Sequence, residues 1–125
     1  MLERDAFSKW LFISVLNISK GSCELKATIT KDMLNGFDIA HGGISYSLAD
    51  SALAFAANSH GQKCVSIETS ISHTRPCKLG DELKATAVEV HRGRTTGIYQ
   101  VNVTNQENKT IALLKGTVHI SQELW

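Results

Sequence analysis

Twenty-seven of the 125 residues are Val, Ile or Thr, yet only Ile39 and Ile44 fall between residues 31 and 64. β-branched side chains suit a pleated strand and lose rotamer freedom in a helix. The chain therefore reads strand-rich, then a block that is not strand, then strand-rich again. No repeat, low-complexity stretch or linker interrupts the pattern, and the length fits one domain over residues 1–125.

The first block predicts two strands. Residues 12–19 lead into the turn pair Lys20-Gly21, after which Cys23, Leu25, Ala27 and Ile29 alternate with polar residues. Strict alternation marks one buried and one wet face. Residues 3–10 are read as a short helix. The central block divides at Gly42-Gly43. From there to Gly61 Ala and Leu dominate, and Lys, Arg and Glu are absent. Ile44, Leu48, Ala52 and Ala56 form one stripe, widened by Ala49, Leu53 and Ala57. This predicts a helix of about 15–17 residues, buried on most sides.

Four more strands are expected. In the first, Val65, Ile67, Thr69 and Ile71 alternate with Ser66, Glu68, Ser70 and Ser72. The others span 82–92, 95–105 and 110–121, and the four together are expected to run as a meander. The order is β-β-α-β-β-β-β. One helix cannot cover both faces of a long sheet, so the expected α+β fold is an antiparallel sheet of about six strands curled around the helix. A second copy would complete the sheet or cover an edge.

Composition narrows function by exclusion. Thirteen basic and twelve acidic residues leave a net charge of +1, which gives no global pull toward nucleic acid or an anionic membrane. Cys23, Cys64 and Cys77 match no metal-binding or redox spacing and read as reduced thiols of a cytoplasmic protein. No apolar stretch approaches the ~20 residues of a membrane span. His60, His73, His91 and His119 are scattered and show no metal-ligand spacing. No GxSxG elbow, GxGxxG or P-loop occurs.

Two features carry chemistry. Asp50 sits midway along the least charged helix, where a carboxylate is costly unless paired, hydrogen-bonded or useful. It is read either as a functional carboxylate or as part of a wet stripe with Ser47, Ser51 and Asn58. Gly42-Gly43 opens the same helix, where free N–H groups and the helix dipole stabilise a developing oxyanion. Gly43 and Asp50 are seven residues apart, so they share a face within about 20° but stand about 10 Å apart along the axis. A small carbonyl group does not span that distance. If both act on one substrate, they come from two chains of a dimer. His41 reads as a hydrogen-bonding residue at the helix start. The basic turn around Arg92, Arg94, Thr95 and Thr96 is a solvated hairpin tip or a patch for a phosphate-bearing ligand.

His41-Gly42-Gly43 followed by Ser47-Leu48-Ala49-Asp50 resembles the signature of hotdog-fold acyl-CoA thioesterases. The match extends through Met33-Leu34-Asn35-Gly36, Ala57-Asn58-Ser59, Arg75-Pro76, Gly80-Asp81, Thr96-Gly97-Ile98-Tyr99 and Lys109-Thr110. Over about residues 12–120 the chain resembles the phenylacetic acid degradation (PaaI) branch. The resemblance implies a hotdog fold, a homodimer with shared active sites that often pairs into a homotetramer, and hydrolysis of an acyl-CoA thioester without metal or cofactor. It implies a site of Asp50, Gly43, Asn35, His41 and Ser66. There the Gly43 N–H polarises the carbonyl and Asn35 places the carbonyl or the water. Asp50 of the second chain acts as base or nucleophile, and Ser66 helps hold water. Gly42 and the turn residues Arg92, Arg94, Thr95 and Thr96 are expected to contact the acyl-CoA. Two other readings are a hotdog enoyl-CoA hydratase or dehydratase, which would rely on a His, and a non-catalytic acyl-CoA binding module.

Overall fold

The computed structural model describes residues 2–125. A 3-10 turn, Leu2–Arg4, precedes the short helix α1, Ala6–Trp10, whose first turn is capped by the Asp5 carboxylate accepting from the Ser8 N–H at 3.0 Å. Strands β1, Ser14–Ser19, and β2, Ser22–Thr28, form the first hairpin. The long helix α2 spans Gly42–Asn58, and β3 (Gln62–His73), β4 (Glu82–Arg92), β5 (Thr96–Thr104) and β6 (Thr110–Leu124) follow. All six strands form one antiparallel sheet in the order β1-β2-β4-β5-β6-β3, with α2 packed against it. This is the hotdog arrangement.

The alternating residues behave as their spacing demands. Cys23, Leu25, Ala27 and Ile29 are buried, as are Tyr99, Val101 and Val103 on β5. On α2 the stripe Leu48, Ala52 and Ala56, with Ala49, Leu53 and Ala57, is fully covered, while Ile44 is partly buried. Alanines let the helix lie close to the sheet. At Gly116 on β6 the approach is closest: a Cβ there would collide with Leu53 Cδ1 and press on Thr69 Cγ2.

Two expectations need correction. β4, β5 and β6 form a meander, but β3 pairs with β6 at the far edge and does not neighbour β4. A hairpin keeps strands adjacent through a turn of about 2–5 residues. Residues 74–81 are long enough to carry the chain back across β6 and β5, a span of about 15 Å at sheet spacing. The second correction concerns alternation along β3. Its register slips between Ser66 and Glu68. Ile67 is the extra residue of a bulge, and the bulge reverses which positions face inward. Cys64 is buried ahead of it and Ile71 packs against the core after it, whereas Val65 and Ile67 are 65% and 61% exposed.

The C-terminal end of α2 is held by polar bonds. Asn58, expected on a wet stripe, is buried. Its Oδ1 accepts from the Cys64 N–H and the Trp125 indole, both at 2.9 Å, and its Nδ2 donates to the Ala54 and Cys64 carbonyls. Arg92 Nη1 donates to the Ala57 carbonyl at 3.1 Å and to Tyr99 Oη at 3.0 Å. A cation at a helix C-terminus also complements the helix dipole. Glu89 completes the group, with Oε1 accepting from Tyr99 at 2.6 Å and lying 2.9 Å from His60 Nε2. Burial pushes the Glu89 carboxyl up. The Tyr99 and His60 hydrogen bonds and the charges of His60 and Arg92 outweigh that and hold it below the ordinary range.

Two stability outcomes follow from this packing. Gly116→Ala forces Leu53 to move inside a filled core, and a denaturant titration should show a loss of about 1–3 kcal/mol. A depressed Glu89 pKa means that its stabilising contribution is present above its ordinary value of 4.5 and is lost as pH falls through the folded value. Glu89→Gln should therefore be less stable than the native chain at pH 7, and the gap should narrow on acidification below the ordinary value of 4.5. A gap of constant size in melts across that range would contradict the assignment.

Candidate active site

Residues 34–40 form a small loop that delivers the chain to the start of α2. A bridge between Leu34 and Ala40 closes it, and the Asn35 N–H donates to the Ile39 carbonyl at 2.8 Å. The expected Asn35-Gly36 turn is present. Asn35 Oδ1 accepts from the Phe37 N–H at 2.9 Å, and Asp38 takes a positive φ of 59°. The His41 N–H then donates to the Met33 carbonyl at 2.8 Å, which fixes where the helix begins.

His41 is the N-cap residue. Its Nδ1 accepts from the Gly43 N–H at 2.9 Å. This engages the backbone donor that the resemblance assigns to the substrate. Among the described residues the Gly42 N–H makes no hydrogen bond. Gly42 is exposed and borders a cavity of about 330 Å³ that it shares with Asn35, Ser45, His73, Arg75 and Ile111. One chain thus brings together Asn35, His41, Gly42 and Gly43.

Asp50 does not join them. It lies two turns along α2, half-buried, and makes no hydrogen bond or ion pair among the described residues. Burial alone pushes its carboxyl above the ordinary value of 3.8. Ser66 is also apart. It is exposed on β3, opposite Val118 and beside the bulge, and the other side of β3 faces no strand.

The basic turn divides in two. Arg94, Thr95 and Thr96 are exposed at the β4–β5 connection, where the Thr95 and Thr96 carbonyls accept from Ile120 and Gly93. Arg92, expected to contact the ligand, is instead turned inward onto Ala57 and Tyr99, and only 13% of its side chain is exposed. Its guanidinium donors are used at the end of α2.

Ser45, His73 and Arg75 line the same cavity, and none of them is assigned a role in the site from the sequence. A signal for Ser45 was present. It is three residues before Leu48 and four before Ala49, on the buried stripe, where a hydroxyl needs a partner. It has two in reach: its Oγ lies 3.2 Å from the Gly42 carbonyl and 3.3 Å from His73 Nδ1. Nothing local marks His73, because only the fold brings residue 73 against residue 42.

Comparison with known proteins agrees with this architecture. The thioesterase superfamily model matches residues 37–112. The chain is 42% identical to the acyl-coenzyme A thioesterase PaaI of Escherichia coli over 95% of its own length and 85% of that protein. The solved E. coli PaaI structure superposes with a TM-score of 0.97, at 40% identity over 99% of this chain and 90% of that one. A putative esterase of Archaeoglobus fulgidus is 40% identical over 95% of this chain and 77% of its own. A hypothetical thioesterase protein of Streptococcus pneumoniae, solved with coenzyme A, superposes with a TM-score of 0.87 at 26% identity, covering 90% of this chain and 88% of that one. Structures of that protein with an Asp→Ala substitution and, sixteen positions further on, a Thr→Ala substitution have also been solved. With this fold and these relatives, the chain belongs to the thioesterase superfamily and is an acyl-CoA thioesterase of the PaaI type.

Proposed function

We propose that the chain hydrolyses aryl-acetyl thioesters of coenzyme A, of the phenylacetyl or hydroxyphenylacetyl type, to the free acid and CoA. The observation that carries the reading is the free Gly42 N–H, which opens α2 into the cavity bordered by Asn35. A thioester carbonyl accepting from Gly42 gains both a hydrogen bond and the positive end of the helix dipole, and both strengthen as the oxygen becomes anionic. The donor is thus one residue earlier than the resemblance implies, because His41 holds Gly43. His41 acts by capping the helix, and Asn35 sits where it orients the carbonyl or the water.

Asp50 supplies the second half from a partner copy. Eight residues separate it from Gly42, about 12 Å along the helix, so one chain's carbonyl donor and carboxylate do not meet on one small group. A homodimer solves this, and the unpaired β3 edge with exposed Val65 and Ile67 supports one. The substituted Asp and Thr of the S. pneumoniae protein have the same spacing as Asp50 and Ser66. That supports a shared role for a carboxylate and a hydroxyl. Asp50 either removes a proton from water or attacks the carbonyl carbon itself. The tetrahedral intermediate then collapses, the C–S bond breaks and CoA leaves as its thiolate; where Asp50 is the nucleophile, water next hydrolyses the acyl-Asp50 anhydride, releasing the free acid and restoring the carboxylate. The exposed Arg94, Thr95 and Thr96 meet the phosphates of CoA. The reaction so described uses water and the chain's own groups, with no cofactor.

A thiol-reactive dye measures the outcome directly. The native protein should release CoA from phenylacetyl-CoA, and Asp50→Ala should lower kcat by about 100-fold or more while leaving the fold intact. Equal turnover in the variant would overturn the proposal. Asp50 must be ionised to act, and burial raises its pKa. Activity should therefore fall on acidification at a pH above the ordinary value of 3.8. That limb should vanish from the residual rate of Asp50→Asn. Single turnover in 18O-labelled water separates the two roles of Asp50, since label enters its carboxylate only if it is the nucleophile.

A further inference from the structure

Two histidines flank the two glycines, and they do different things. His41 Nδ1 accepts from Gly43. His73, from the end of β3, lies over Gly42. A Cβ at Gly42 would stand 3.3 Å from His73 Nε2 and 3.4 Å from its Cε1, so that edge of the ring faces the glycine. The Gly42 nitrogen is about 2.5 Å from that Cβ position, which places Nε2 within about 6 Å of the free N–H. An oxygen accepting from Gly42 at about 2.9 Å can sit between the two.

Ser45 orients the ring. It is only 3% exposed, and its single hydroxyl proton has two acceptors in reach, the Gly42 carbonyl at 3.2 Å and His73 Nδ1 at 3.3 Å. When the proton goes to Nδ1, a neutral imidazole carries its own proton on Nε2. That N–H is on the ring edge facing Gly42 and the cavity.

We propose that His73 is a second hydrogen-bond donor to the thioester carbonyl, through Nε2–H, and that Ser45 is the positioning residue that sets its tautomer. The inference rests on the hydrolysis reading above. No proton changes owner: the bond shortens and strengthens as charge develops on the oxygen, and His73 keeps its proton. Gly42 and His73 then form a two-donor site, one donor from the helix backbone and one from the strand.

The test uses thiol release from phenylacetyl-CoA with six proteins: native, His73→Phe, His73→Gln, Ser45→Ala, the Ser45→Ala/His73→Phe double variant and Asp50→Asn. Loss of one oxyanion donor should lower kcat by about 100-fold in His73→Phe, with KM changed less than about threefold. His73→Gln, which keeps an N–H donor, should recover part of the loss. Ser45→Ala should lower kcat in the native background but have no further effect once His73 is Phe, a coupling that a purely structural serine would not show. Side-chain 15N NMR of the native protein should find His73 protonated at Nε2 and bare at Nδ1. An unchanged kcat in His73→Phe, additive effects of the two substitutions, or the opposite tautomer would overturn the inference. Asp50→Asn serves as the control. If it abolishes release while His73→Phe does not lower kcat, this inference alone fails. If it turns over like the native protein, the hydrolysis reading itself fails.

Discussion

A helix of seventeen residues with Asp50 as its only formal charge is stable in water only if something covers it. That constraint organises the rest of the molecule. The sheet supplies the cover. The fit depends on small side chains on both sides of the contact, with Ala49, Ala52 and Ala56 on α2 and Gly116 beneath Leu53 on β6. Because the helix lies so close, its ends are held by particular bonds. Met33, through its carbonyl, sets the start, while Asn58 and Arg92 secure the finish. The free N–H of Gly42 is therefore part of a rigid element and not of a mobile loop. Preorganisation of this kind is what an oxyanion donor needs.

Much of this was legible in the residues. Period-two alternation located β2 and β5, and the shortage of β-branched residues located α2. Asp50 stood out because a charge on an apolar helix needs a reason. What stayed hidden depends on distant partners. Alternation says which face a strand buries and nothing about its neighbour, so the pairing of β3 with β6 was missed. The bulge at Ile67 inserts one residue into a run of Val, Ile and Ser that otherwise reads as regular. Arg92 looked like a surface cation because its acceptor, Ala57, is far away in sequence. The placement of His73 against Gly42 is of the same kind: the contact spans a helix and a strand.

The two halves of the proposed site differ in how they are built. The half at Gly42 is assembled within one chain by a short loop, a capped helix and the end of β3. The half at Asp50 is a lone carboxylate with no partner among the described residues. Asp50 is costly in place, half-buried and without a hydrogen bond among the described residues, which is the pattern the proposed chemical role would produce. Glu89 shows the opposite case. It is surrounded by donors and serves the fold.

The placement of β6 has a consequence for biosynthesis. It is the last strand in chain order, yet it sits inside the sheet, between β5 and β3, and Gly116 meets Leu53 there. About fifty residues separate the end of β3 from the end of β6, roughly 3–10 s of translation. Throughout that interval β3 has no partner of its own chain, and part of the apolar surface of α2 stays uncovered. A nascent chain of this topology closes at an interior seam, and until then it is a natural client for whatever shields hydrophobic surface at the ribosome exit.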